Sequence, residues 1–391
     1  MKIITSSKPV TLFTICLITL SISTEAFSTA AENEVTTSAL HNVQSEQIND
    51  LTPQQARPIQ PRFPQPRRSQ FPRSSETTRL IDGKIVNTQQ LVDLGSLLYH
   101  DSNLSNPIGQ SCASCHDINN GFTDPNSANP SSVGADQQSF GIRNSPTTSY
   151  SAFIPPQRLV QTQRRTQRLI GGLFVDGRVQ SLEEQAKMPF LNPNEMGNTS
   201  VQEVVAKISE STYASDFEFL FGEGILLNPE QAYNYIVDAI AAFERSDILS
   251  PFSSKFDRVQ AGTISFTAAE ERGLNIFNTK GQCQVCHTMN RSMFTNFTYR
   301  NIGVPSNPQL LAIINAPDFI DIGLGSITQN PLNDGQFRVP TLRNIAKTSP
   351  YMHNGIFTTL REVIEFYNTR VTTFSLQTEV NRNVAQGGRL G

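Results

Sequence analysis

The sequence contains no tryptophan, and only five cysteines and five histidines among 391 residues. Thiolate or imidazole chemistry is therefore confined to a few places, and no indole is available to relay an electron. There is no surplus of charge either. The formal net charge is −3 and charged residues make up 17%, which gives no case for nucleic acid as a partner, since that needs clustered cationic surface. No apolar run reaches the roughly 20 residues of a membrane-spanning helix; Val10–Ile22 comes nearest. Alternating strand patterns are almost missing, while apolar residues recur at helical spacing, so the expected fold class is all-α.

The scarce cysteines and histidines are concentrated in two pentapeptides. Cys112-Ala113-Ser114-Cys115-His116 has the form of a c-type haem attachment site, and the form returns as Cys283-Gln284-Val285-Cys286-His287. In such a site the thiols add to the haem vinyl groups and the adjacent histidine ligates the iron. The expected cofactors are therefore two covalently bound c-type haems, with His116 and His287 as the iron ligands.

Covalent haem of this kind is attached outside the cytoplasm, and the N-terminus agrees with export. Lys2 and Lys8 precede the apolar run, and Ser28-Thr29-Ala30 offers small residues for cleavage, so residues 1–30 read as a signal peptide. The protein is then periplasmic or otherwise exported, with membrane contact only if the segment stays uncleaved. Cys16 lies inside the run and leaves with it. Residues 31–78 read as a disordered linker. Their second half is rich in Pro, Gln and Arg, with Arg57, Arg62, Arg67, Arg68 and Arg73 and no acid among them, too polar to offset ordering entropy by burial.

A first helix is expected over Thr88–Tyr99, with Leu91, Leu94 and Leu98 on one face, leading by a short loop into Cys112. Ser181 with Glu184 caps a helix that Pro189 ends; Asn192–Gly197 is a turn; Ser200 with Glu203 caps another helix; Asn228-Pro229 opens a third. The organisation then restarts. Thr267 with Glu270 caps a helix leading into Cys283, and Thr359 with Glu362 caps a last one bearing Leu360, Val363, Ile364 and Tyr367 on an inward face. This is an internal duplication: two haem domains in tandem, 79–248 and 249–391.

Each haem histidine leaves the opposite face of its iron open. A strong ligand there makes an electron carrier, and an open position lets peroxide bind. The loop 117–150 contains no histidine. His100 and His353 read as neighbours of the sites rather than ligands, and Met289, Met293 and Met352 are weaker axial candidates.

Together with the haem motifs, the segments Asp176-Gly177-Arg178 followed by Ser181–Ala186, Asn192-Pro193-Asn194-Glu195-Met196, Phe337–Asn344 and Pro350–Gly355 occur in an order that resembles the bacterial di-haem cytochrome c peroxidase family, MauG-like branch. The resemblance covers roughly residues 79–391. It implies two cytochrome c-like domains and a peroxide site at the first haem, with Gln185 and Glu195 as the distal pair, ten residues apart. Glu195 would move the proton and Gln185 orient peroxide. The first iron would be open as isolated. Tyr367, fourteen residues after His353, would be the second haem's distal ligand. Asn144, Thr348 and Pro350 would hold a calcium ion. The implied partners are hydrogen peroxide and either a small periplasmic electron donor, a cytochrome c or cupredoxin, or a protein substrate. The alternatives are a di-haem electron-transfer cytochrome without catalysis and a degenerate, inactive paralogue. Two departures stand out. Where relatives carry a tryptophan before Asp-Gly-Arg this chain has Val175, with Phe174 a poor substitute, and at Gly388-Arg389-Leu390-Gly391, where relatives continue into a closing helix, the expected helix is missing.

Overall fold

In the computed structural model, residues 78–161 and 166–373 are described. The expected signal peptide, nearly all of the linker and the C-terminal segment beyond 373 lie outside them. The order of elements is β1 (Thr78–Ile81), β2 (Lys84–Asn87), α1 (Thr88–His100), α2 (Cys112–Cys115), β3 (Arg158–Gln161), β4 (Gln167–Ile170), α3 (Leu182–Leu191), α4 (Val201–Ser209), α5 (Ala214–Phe221), α6 (Pro229–Glu244), α7 (Lys255–Gln260), α8 (Ala268–Asn278), β5 (Tyr299–Arg300), α9 (Pro308–Ile313), α10 (Leu324–Thr328), β6 (Phe337–Arg338) and α11 (Leu360–Thr373).

The fold is mostly helical rather than all-α, because three two-stranded antiparallel ribbons accompany the helices: β1–β2, β3–β4 and β5–β6. The first follows from Asp82-Gly83, both at positive φ (46° and 79°), between Ile81 and Lys84; an Asp-Gly turn suits the twist of a hairpin. The third joins Tyr299–Arg300 to Phe337–Arg338, strands too short and too distant in sequence to show a pattern.

The expected caps form. Ser181 accepts from the Glu184 amide, Ser200 from that of Glu203, and Thr267 and Glu270 make a reciprocal box. Pro189, however, lies inside α3, which ends at Leu191. A proline this close to the C-terminus costs one backbone bond and leaves the turn intact; its own carbonyl accepts from Asn192 and Met196.

The main core is built by α1, α3, α4, α5 and α6. Leu91, Leu94 and Leu98 are buried as expected, against Ile236, Ala239, Ile240 and Phe243 of α6. Burying each such side chain contributes about 1.5–3 kcal/mol. The two helices approach so closely that a Cβ on Gly95 would lie 1.9 Å from the Ala239 carbonyl oxygen. The second core is far smaller: Val304, Tyr351, Phe357 and Phe366. Around it α8 buries no side chain fully, and Ile276, Val285 and Ile364 are exposed.

Candidate active site: two haem-binding motifs and a half-buried carboxylate

Both Cys-x-x-Cys-His motifs form short helical turns with the histidine at the end, and the four cysteines are unpaired. In the first motif burial pushes the Cys112 thiol up to about 12 and the Cys115 thiol up to about 11. A buried thiolate would be costly, whereas a thioether carries no charge and suits the site.

The histidines are prepared for an iron in the same way. His116 Nδ1 lies 3.2 Å from the Phe122 carbonyl oxygen, and His287 Nδ1 lies 2.9 Å from that of Phe294. A proton on Nδ1 donated to a carbonyl leaves Nε2 as the free lone pair. Burial holds both imidazoles below their ordinary pKa, hence neutral and able to ligate. The residues therefore fit two c-type haems.

The straps behind the two histidines repeat bond for bond. Thr147 donates its hydroxyl to Gly121 O at 2.6 Å and receives the Ser149 amide at 3.0 Å. Thr341 donates to Met293 O at 2.7 Å and receives the Arg343 amide at 3.1 Å. Gly121 and Met293 each precede the phenylalanine whose carbonyl meets the histidine, and each threonine follows a proline, Pro146 or Pro340. Sequence reading saw the repeated motifs and missed these straps; Pro-Thr after both motifs was the available signal.

Glu195 lies in the turn after α3. Its carbonyl accepts the Ala135 amide at 2.7 Å, tying the turn to the loop 117–150, and the next carbonyl, of Met196, accepts the Asn106 amide at 2.7 Å. The loop is thus ordered by the site it flanks. Burial raises the Glu195 carboxyl above the usual range, with Arg178 and Asn192 opposing. Its charge in turn reaches the Cys112 and Cys115 thiols, so the turn carrying Glu195 and the first haem motif come together. Gln185, one α3 turn beyond Ser181, keeps its side-chain amide free of protein partners among the described residues. Glu183, by contrast, is taken up by Arg245 at 2.7 Å.

Sequence reading also missed an ionic seam beside this turn. Arg143 binds Asp176 at 2.6 Å and grips Asp321 through Nε (2.5 Å) and a terminal nitrogen (2.8 Å); Arg178 binds Asp176 at 2.8 Å. The Arg178 guanidinium lies 3.4 Å from the centre of the Phe174 ring, and the Phe174 carbonyl accepts from Arg338. A cation on a ring face makes removal of an electron from that ring harder, in keeping with Phe174 being no substitute for tryptophan.

The remaining site residues fall out unevenly. Tyr367 is 45% exposed and does not pack into the protein core as expected, while Phe366 is fully buried against Phe357 at a ring distance of 5.3 Å. The buried face of α11 is Val363 with Phe366, and Leu360, Ile364 and Tyr367 form a separate exposed stripe at i, i+4 and i+7. Asn144 and Pro350 are brought together, the Asn144 amide donating to the Pro350 carbonyl at 2.6 Å. Thr348 lies at the same seam, its methyl 3.3 Å from where a Cβ on Gly121 would stand. His100 is exposed and bonded to the Ser96 carbonyl at 2.8 Å. His353 stacks on Phe337 at 3.7 Å, and Met293 is buried in the His287 strap.

A mostly helical fold carrying two c-type haem motifs, with a half-buried carboxylate near the first, defines a di-haem c-type protein. The sequence profile of di-haem cytochrome c peroxidase matches residues 89–265. The methylamine utilization protein MauG of Paracoccus denitrificans is 42% identical over 291 residues, covering 71% of this chain and 74% of that protein. The cytochrome c551 peroxidase of Nitrosomonas europaea is 32% identical over 283 residues, 70% of this chain and 72% of that one. Among solved structures, the di-haem peroxidase BthA of Burkholderia thailandensis superposes with a TM-score of 0.69 at 33% identity, covering 76% of this chain and 78% of that one. This chain belongs to the di-haem cytochrome c peroxidase family, and it is an oxidoreductase with two c-type haems.

Proposed function

We propose that this protein is an exported, periplasmic enzyme that reduces hydrogen peroxide to two waters, with two electrons drawn from a protein partner and two protons from solvent. The partner is a small cytochrome c or cupredoxin, or a protein substrate whose side chain is oxidised. The supporting observation is the half-buried Glu195 carboxyl, raised in pKa and close enough for its charge to act on Cys112 and Cys115. The first haem, held by Cys112, Cys115 and His116, supplies the redox centre for peroxide. The Glu195 carboxylate takes a proton from one peroxide oxygen and returns it to the other, which leaves as water. Gln185, with its free amide, orients the peroxide and stabilises charge developing on it.

In this reading residues 79–248 and 249–391 are two cytochrome c-like domains, as the repeated straps support. His287 and Tyr367 serve the second haem, whose motif exposes Gln284 and Val285 where a donor could approach. Asn144, Thr348 and Pro350 hold calcium, with the Asn144 amide turned to present its oxygen. The test is the ferric holoprotein: a high-spin signal in its EPR spectrum and an absorption change on adding hydrogen peroxide are expected. Two low-spin signals and no response to peroxide would overturn the reading in favour of an electron carrier.

A further inference from the structure

The last residue of α6 is a carboxylic acid with no role in the chemistry above. Glu244 is 4% exposed, and no hydrogen-bond donor meets its carboxyl among the described residues. A buried, unpaired carboxylate is costly, so an apolar residue would serve a purely structural position better. The adjacent residue Phe243 packs its ring against Tyr99 at 5.1 Å, and the Tyr99 hydroxyl lies 3.0 Å from Thr148 and 3.5 Å from the His116 carbonyl. Cys112 packs against the core that α1 and α6 build, and the Glu244 charge acts on both Tyr99 and Cys112, which places Glu244 near the first haem motif.

The charged and titratable groups around it are few. From α3 comes Glu183 and from α6 itself Arg245, but these two are paired at 2.7 Å, so the Arg245 charge is already committed. From α1 comes Tyr99, and from α2 Cys112; both feel the Glu244 charge. Beyond these, the His100 ring lies 5.8 Å from that of Phe243, and the Glu195 charge also acts on Cys112; the first haem would add its charge through Cys112.

We propose that Glu244 is a redox-linked proton site: it binds one proton when the first haem takes up one electron, and releases it on reoxidation. The step is balanced. A one-electron reductant supplies the electron to the ferric iron, solvent supplies the proton, and one O–H bond forms on the Glu244 carboxyl. Ferric iron's extra positive charge favours the carboxylate; its loss on reduction favours the acid. Burial already pushes this carboxyl up to about 8, with Arg245 opposing and Glu183 assisting, so a modest change in field moves it through neutral pH. A proton taken up here neutralises the electron's charge inside the core, and the potential of the first haem becomes a function of pH.

The experiment is spectroelectrochemical titration of the first haem in the holoprotein across pH 6–9, for the parent and Glu244→Gln. In the parent the midpoint potential falls as pH rises through this window. In Glu244→Gln, which resembles the protonated acid, it is expected to stay at the parent's low-pH level throughout. An unchanged slope in the variant assigns the proton to another group, such as a haem propionate, and overturns the proposal. If the variant fails to load haem, the redox-difference infrared spectrum of Glu195→Gln protein grown with carbon-13 glutamate decides. A protonated-carboxyl band that appears on reduction and shifts with the label supports Glu244, and absence of such a band rejects it. Neither readout depends on peroxide turnover, so failure here leaves the peroxidase reading intact.

Discussion

Thr341 donates its hydroxyl to the Met293 carbonyl at 2.7 Å, and so fixes the backbone whose next carbonyl, of Phe294, meets His287. The bond is partly buried. Thr341→Val keeps the side-chain shape but strands a partly buried carbonyl, which costs about 1 kcal/mol or more. The expected result is a lower urea midpoint with an unchanged slope, and a shift in the second haem's absorption with the first haem unaffected. Thr147→Val should give the mirror result at the first haem. A variant that loses stability with both spectra untouched would show the strap to be structural only.

Glu195→Gln should slow the reaction with hydrogen peroxide by about a hundred- to ten-thousand-fold, the usual weight of one positioned acid–base group, and leave the ferric spectrum as it was. Stopped-flow mixing measures it. The pH dependence has a definite sign. The carboxylate is the base, burial raises its pKa above the ordinary value, and so the rate falls as pH drops through that raised pKa. The Gln variant should lack this limb. A parent rate that is flat down to the ordinary carboxyl range would remove Glu195 from the mechanism.

The parts of this molecule written in contiguous residues were legible in the sequence: both haem motifs, the caps of α3, α4, α8 and α11, and the Leu91–Leu98 face of α1. Two-residue strands such as β5 and β6 carry no period to detect, and the Asp82-Gly83 hairpin signal went unused. On α11, Leu360, Val363, Ile364 and Tyr367 share a helical side with or without burial, and only the tertiary contact of Phe366 with Phe357 shows that the row packed on protein is Val363 with Phe366. Glu195 and Gln185 were reached through resemblance, since nothing in the spacing of two polar residues across a turn reports burial. Arg143, Asp176 and Asp321 were invisible because the residues that neutralise one another are far apart in the chain.

That ionic seam makes a prediction of its own. Asp176 and Asp321 are both buried; Arg143 pairs with both, and Arg178 also pairs with Asp176. Removing the guanidinium in Arg143→Met leaves the Asp321 carboxylate without its paired cation, at a cost of about 3–5 kcal/mol, while Asp176 keeps Arg178. Burial acts to raise the Asp321 carboxyl, and Arg143 more than offsets it, so its pKa lies below the ordinary value. A depressed carboxyl contributes stability that is complete above its unfolded pKa and lost as pH falls through the folded one. The parent should therefore lose this contribution only below about pH 4, the unfolded aspartate value. In Arg143→Met the contribution is already absent at neutral pH, so the stability gap between variant and parent should narrow as pH falls through the Asp321 pKa. Thermal unfolding followed from pH 7 to pH 3 checks both the size and the sign.

The position of Tyr367 can be tested without assuming that it reaches the iron. On α11 it shares an exposed apolar row with Leu360 and Ile364, on the helix that follows His353. A tyrosine in a purely structural row is replaceable by phenylalanine at a cost within about 0.5 kcal/mol, because the ring and its packing are kept. A tyrosine that binds iron through its oxygen is not replaceable, since phenylalanine has no donor atom. Tyr367→Phe should therefore leave the unfolding midpoint of the protein nearly unchanged, and change the spin state of the second haem in the ferric EPR spectrum. Tyr367→Met, which restores a ligand of different chemistry, should give a low-spin second haem with a higher midpoint potential. If all three proteins share one EPR spectrum, the exposed row is only surface and another group completes the second iron.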